Sequence, residues 1–291
     1  MLFFVLSICM YWLQNFSNKR FCIVAGGTSI GSALVQNSVC CISASAVLFV
    51  FNGVCELPSG AFFFAVLFGA TYLGTIFLLL CAFMRGSVGL STLLCNIGSF
   101  VAAFYGVLRF KDSFTPLIAA GFICMLAAVI LSVPKKERNE NVGIKWFLFA
   151  FGSGLCSGIV SSVKREAVAK IASENIGFFL AVGFLWAGVF ALLSAVLFKN
   201  NRLDARRIIM RPRLLCLGAF AGIGTAGANL FQMRALLTLP STIVYPMTSG
   251  VVVVTLWLAS LLIYKETEAK PRNILSVILC VLAIILSNIK I

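Results

Sequence analysis

The sequence predicts an all-α polytopic membrane protein with ten transmembrane helices arranged as two inverted five-helix repeats. Three observations lead there. Of 291 residues, 61% are hydrophobic and only 11% charged, far from the balance of a soluble domain. Cutting the chain at its charged residues leaves ten uncharged stretches of 17 residues or more. That is close to the length a helix needs to cross a hydrocarbon core. Short motifs also recur in the same order at an offset of about half the chain. A transmembrane barrel is rejected, because 61–81 and 251–263 are predominantly apolar and lack the alternation of barrel strands.

Each helix follows from one uncharged stretch. The first, 2–16, is short and ends before Lys19 and Arg20. It has no basic residue ahead of its apolar part and no small-x-small site behind it, so it reads as a membrane helix rather than a signal peptide. Next come 37–54, 61–82 (closed by Arg85), 87–108 (closed by Arg109) and 115–133. The glycine-rich Gly26-Gly27-Thr28-Ser29-Ile30-Gly31 reads as a loop or helix start, since it fits neither a phosphate loop nor a dinucleotide fingerprint. The second series is 146–163 (closed by Lys164 and Arg165), 177–198, 214–233, 239–263 and 273–289. The domain plan is therefore 1–134 as the first repeat, 135–145 as a basic connecting loop and 146–291 as the second repeat.

The net charge of +14 sits in short groups between apolar runs, which marks topology rather than nucleic-acid binding. With ten helices, one set of loops holds 16 Lys and Arg and the other 7. The charge rule then puts Lys135, Lys136, Arg138 and the cluster Arg202, Arg206, Arg207, Arg211 and Arg213 in the cytoplasm, with both termini outside. That cluster also suits anionic lipid headgroups. Eleven cysteines lie scattered with no C-x-x-C spacing, and there is no His, so they read as small buried hydrophobes and no metal site is expected. All nine acids fall in loops or at helix ends, leaving no buried carboxylate pair for acid–base chemistry. The chain is not expected to be an enzyme or to hold a cofactor, and an ATP-driven pump has no support.

The repeat carries the functional reading. Met84-Arg85, Ser91-Thr92 and Lys111-Asp112 are echoed by Met233-Arg234, Ser241-Thr242 and Lys265-Glu266, at offsets of 149, 150 and 154. Ser17-x-Lys19-Arg20 is echoed by Ser162-x-Lys164-Arg165 at 145. An odd number of helices per half makes the second copy enter from the opposite side, a plan recurrent in secondary transporters that enclose a site and expose it alternately. Met84-Arg85 through Lys111-Asp112, and Ser241-Thr242-Ile243-Val244-Tyr245-Pro246 through Tyr264-Lys265-Glu266, resemble the drug/metabolite transporter superfamily, EamA-type. In that family a small or polar helix start leads into a Pro-containing helix closed by an acidic residue. Here Asn96 stands where Pro246 stands in the other half, and Asp112 replaces the usual Glu. The resemblance implies a ten-helix permease with its termini inside, the reverse of the charge count.

The expectation is a secondary transporter of a small organic metabolite, driven by a gradient or by exchange. A lipid-carrier flippase or a non-transporting membrane subunit is the alternative. The candidate cavity residues are the neutral polar side chains within apolar runs: Asn96 and Tyr245 first, then Asn229, Gln232 and Gln14, with Asn15, Tyr72 and Pro246. An amide in hydrocarbon must find a partner, so each should face the bundle interior. Pro246 removes a backbone hydrogen bond and so can free a carbonyl in its helix. Lys19, Arg20, Lys164, Arg165, Arg85 and Arg234 either snorkel to the headgroups or turn inward to bind an anion. Gly154-x-x-x-Gly158 and Gly218-x-x-x-Gly222 are assigned to helix packing. A small-molecule substrate and membrane lipids are the expected partners, nucleic acid is not, and a homodimer is open. The expected location is the cell membrane, plasma or inner.

Overall fold

A computed structural model describes residues 2–25, 29–83, 85, 91, 94–112, 115–132, 144–197, 206, 208–262 and 271–288. Among these residues there is no strand. The helices are α1 (Leu2–Val24), α2 (Ile30–Asn52), α3 (Ser59–Phe83), α4 (Ile97–Phe110), α5 (Pro116–Ser132), α6 (Ile144–Lys170), α7 (Ile176–Leu197), α8 (Pro212–Leu236), α9 (Ser241–Leu262) and α10 (Pro271–Asn288). The motif residues Met84, Thr92, Lys265 and Glu266, residues 26–28, the connecting loop through 143, Arg202, Arg207 and the Pro246 side chain lie outside the described residues.

Among the described residues, five helices are long and apolar enough to cross a membrane: Ile30–Asn52, Gly60–Phe83, Ile144–Lys170, Ser173–Leu197 and Pro212–Leu236. Ile97–Phe110, Pro116–Ala128 and Ile274–Ala283 are shorter apolar helices. Such helices suit an integral membrane protein. So does the distribution of polarity. On α1 and α2, Gln14, Asn18, Gln36, Asn37 and Ser38 are buried, while Leu2, Val5, Val50 and Phe51 are exposed. In water that inversion would be costly; in hydrocarbon it leaves apolar side chains in a matching solvent and gathers polar ones inside.

Four helix limits differ from the expectation by more than three residues, and the largest shift is in α4, which starts at Ile97 rather than 87. α1 does not end at residue 16 but runs on to Val24, and α6 does not end at 163 but runs on to Lys170. Lys and Arg are good helix formers, so a basic pair does not stop a helix that packing continues to support. α2 starts at Ile30 rather than 37. Ser29 caps it, its side chain accepting from Ser32 N at 3.1 Å, and this makes the end of the glycine-rich stretch a helix start.

Contacts divide the chain into two compact units, Met1–Phe77 with Val163–Thr238, and Leu78–Ser162 with Leu239–Ile291. Each unit draws on both sequence halves. In the first, α1 packs on α8, and α2 on both α7 and α8. Its core includes Phe21, Leu34, Val35, Ala195, Ile208 and Leu214. In the second, α5 packs on α10, and α9 on both α4 and α10. Ala82, Leu94, Ala128, Trp146, Ala150 and Ala283 form its core. Close approach depends on glycine. A Cβ at Gly222 of α8 would lie 2.7 Å from Ser43 Cβ and 3.0 Å from Ala44 N on α2. A Cβ at Gly98 of α4 would lie 2.6 Å from Gly158 N on α6, beside Gly154. Both spaced-glycine motifs therefore serve packing. The ten described cysteines are free thiols, with Cys40, Cys41, Cys81 and Cys95 buried.

Candidate functional site

The first unit contains a buried polar cluster built from three helical stripes. On α1, Phe4, Ser7, Gln14, Asn18 and Phe21 are buried at helical spacing, and Tyr11 falls on the same stripe. On α8 the stripe is Thr225, Asn229, Gln232 and Leu236. On α6 it is Lys164, Ala167 and Ile171, which puts a lysine where an apolar residue is the ordinary choice. Small residues bring α1 onto α8. A Cβ at Gly224 would lie 2.7 Å from Gln14 N, and one at Gly227 would lie 2.7 Å from Met10 Cγ. Ser7 Oγ donates across the same contact to the Ala228 carbonyl at 3.0 Å.

Lys164 is 2% exposed. Its ammonium donates to Asn229 Oδ1 at 3.2 Å and to Gln232 Oε1 through a short bond. Tyr11 Oη donates to that same Gln232 oxygen at 3.1 Å. One turn along α1, Gln14 Nε2 donates to Tyr72 Oη of α3 at 3.0 Å, and Gln14 Oε1 is buried with no hydrogen-bond partner among the described residues. Asn229 Nδ2 returns to its own helix, donating to the Thr225 carbonyl at 2.9 Å. The Tyr72 ring stacks on Phe68, with centroids 5.6 Å apart, and meets Phe184 edge-on at 5.0 Å, so an aromatic wall adjoins the polar groups.

Of the residues picked out from sequence, Gln14, Tyr72, Asn229 and Gln232 belong to this cluster. Asn15 does not, because its amide donates to the Tyr11 carbonyl one turn back on its own helix at 2.8 Å. Tyr245 lies in the second unit, where its hydroxyl donates to the Ser161 carbonyl of α6 at 2.6 Å. Asn96 stands at the start of α4, its carbonyl accepting from Ser99 N at 3.0 Å and Ser99 Oγ at 2.7 Å, and its side chain does not cap the helix. α9 is continuous through Pro246.

The basic residues divide between the two expected behaviours. Arg20 is exposed over the Phe16 ring at 5.6 Å. Arg85 lies over Phe149 at 4.8 Å, and Arg234 over Phe3 at 5.7 Å. Among the described residues Lys164 is the one buried base. The sequence left it open between the headgroups and the bundle interior. Its position three residues before Ala167, on an otherwise apolar stripe, was the available signal. Tyr11 was missed because a tyrosine near a helix end also suits the membrane interface. A second buried pair, Gln36 Nε2 donating to Asn18 Oδ1 at 2.9 Å, joins α2 to α1.

No family model matches the sequence, and no curated protein matches it. Among solved structures, one crystal structure of another protein is 12% identical, with a TM-score of 0.66 over 99% of this chain and 95% of its own. The likeness extends over the whole chain and concerns the fold alone.

Proposed function

We propose that the chain is a ten-helix membrane carrier of a small organic metabolite, an EamA-type permease of the drug/metabolite transporter superfamily that works by alternating access. One observation carries the reading: a lysine ammonium buried within a helix long enough to span the bilayer, held by neutral amides beside two tyrosines. An ionisable side chain buried inside a membrane helix is costly, and such residues mark solute or ion paths by default. Stability alone is a weak reason to keep it, since apolar side chains of similar volume often serve as well or better.

The helix pairing supports two repeats of opposite orientation. α2 packs on α7, α4 on α9 and α5 on α10, so in three cases a helix meets the one five places later. Two copies related by a twofold axis in the membrane plane would bring such counterparts together. Without a phosphate-binding loop in the sequence, energy comes from a gradient or from exchange. The test is uptake and efflux of amino acids, sugars and nucleotide-like metabolites in proteoliposomes, with and without imposed pH and sodium gradients. Protein-dependent flux of at least one class is expected. Flux of none would overturn the carrier reading in favour of a flippase or a non-transporting subunit.

A further inference from the structure

Among the described residues, bases gather without acids at one end of the first unit. The sequence from α7 into α8 carries Lys199, Arg202, Arg206, Arg207, Arg211 and Arg213 against a single acid, Asp204. Arg206, Arg211 and Arg213 are exposed. Arg20 of α1 is exposed at the same end, because its neighbour Phe21 packs in one core with Ile208 and Leu214. None of these four arginines pairs with a carboxylate among the described residues. The unit's described acids lie at its other end, where Asn175 Nδ2, beside Glu174, donates to the Glu56 carbonyl at 3.4 Å and Glu166 pairs with Lys170 at 3.1 Å. Apolar groups are set among the arginines. Ile208 is buried, while Ile209 and Met210 are 53% and 69% exposed. Met210 N donates to the Arg206 carbonyl at 3.1 Å and Arg211 N to the Ile208 carbonyl at 2.9 Å, so a tight turn pins one side chain in the core and leaves the next two bare.

We infer that this end of the first unit binds anionic phospholipid, its headgroup phosphate held by Arg206, Arg211 and Arg213 and its upper acyl region laid on Ile209 and Met210. The inference stands apart from the carrier reading. The segment joins Ser173–Leu197 to Pro212–Leu236, both long and apolar enough to span, so it lies where a bilayer presents its headgroups. Guanidinium forks match phosphate oxygens two at a time. Near a membrane surface each base strengthens attraction to anionic lipid by about fivefold. A zwitterionic headgroup brings its own cation beside the phosphate and gains far less. Free phosphate would satisfy the arginines but leave Ile209 and Met210 uncovered, whereas a lipid covers both. A topology signal is a count of Lys and Arg, and it gives no preference among headgroups.

The purified full chain in a neutral detergent, where membrane orientation has no bearing, is titrated with phosphatidylglycerol and with phosphatidylcholine of the same acyl chains, and bound lipid is read by native mass spectrometry. Phosphatidylglycerol is expected to bind at least tenfold more tightly. Arg211→Gln should cut that preference about fivefold, and the triple variant Arg206→Gln, Arg211→Gln, Arg213→Gln should bring the two lipids within twofold. The single variant decides the matter if the triple fails to fold. Lys145→Gln, an exposed base at the start of α6 in the second unit, should leave the preference within twofold. Glycerol 3-phosphate in hundredfold excess should not displace the lipid. Equal binding of the two lipids, a preference that folded arginine variants keep within twofold, or a loss as large from Lys145→Gln would overturn the inference. Displacement by glycerol 3-phosphate would overturn it in favour of a soluble phosphate.

Discussion

Replacing Gly224 by alanine adds one methyl group at the contact that holds α1 against α8. The new carbon would lie 2.7 Å from Gln14 N, 2.9 Å from the Met10 carbonyl oxygen and 3.1 Å from Gln14 Cα. All three are backbone atoms, so no rotamer change relieves the overlap. Ordinary contact begins at 3.4 Å, and α1 must therefore retreat by several tenths of an ångström. Overpacking of this kind costs about 1–3 kcal/mol. Alanine in place of glycine in a helix interior returns roughly 0.5–1 kcal/mol. The net loss is about 0–2.5 kcal/mol, centred near 1 kcal/mol, or roughly 2–4 °C in melting temperature at that centre for a chain of this size class. The same retreat stretches the Tyr11–Gln232 bond, already 3.1 Å, and the Ser7–Ala228 bond at 3.0 Å, toward the limit of useful geometry. Flux should fall although the new methyl is not one of the site's polar groups. Gly152→Ala is the control: its Cβ would meet only Leu78 Cδ1, at 3.4 Å, so stability should hold or rise by up to about 1 kcal/mol. Thermal unfolding of the detergent-purified protein and flux in vesicles read both effects. A Gly224→Ala protein that melts at or above wild type with full flux would refute the claim that this backbone contact sets the geometry of the cluster.

Asp112 Oδ2 accepts from Ser241 N at 3.1 Å and from Ser241 Oγ, capping the start of α9 from the end of α4. Asp112→Ala should cost about 1–2 kcal/mol in thermal unfolding and Asp112→Asn less, because the amide keeps an acceptor; equal losses would mean that charge rather than capping is what matters. Trp146 Nε1 donates to Ser91 Oγ at 2.9 Å in the core of the second unit. Trp146→Phe should destabilise by roughly 1–2 kcal/mol, and in the double variant with Ser91→Ala the two losses should be less than additive; strictly additive losses would argue against the bond. Tyr245→Phe removes a 2.6 Å bond to a carbonyl that its own helix can also engage, so about 1 kcal/mol of stability should go while flux per folded molecule stays within twofold. A tenfold loss of flux would return Tyr245 to the binding surface.

Much of the candidate site was legible before any coordinates. Gln14, Asn229 and Gln232 stand out because an amide in an apolar run has few ways to be satisfied except by another buried polar group. What pairs with what was not legible. Tyr11 and Gln232 are 221 positions apart, and Lys164 and Gln232 are 68 apart. Asn15 and Gln14 are neighbours with the same chemistry, yet a rotation of 100° about the helix axis sends one into the cluster and the other back to its own backbone. Lys164 and Lys19 occupy echoed positions in a four-residue motif, but only Lys164 is fully buried. Periodicity over the whole of α6, rather than the position of the last uncharged residue, would have separated them.

Residue composition alone determined that this chain is helical and suited to a membrane, because apolar run length sets which solvent a helix can occupy and a backbone in hydrocarbon must satisfy its own hydrogen bonds. The order of motifs determined the expectation of two halves. Only the tertiary structure decided that α1, α3, α6 and α8 bring a lysine, two tyrosines and three amides together, and that each compact unit draws on both halves. Those outcomes depend on helix rotation and on glycine contacts a few ångströms wide, and hydrophobicity along a sequence carries no record of which distant helix supplies the facing backbone.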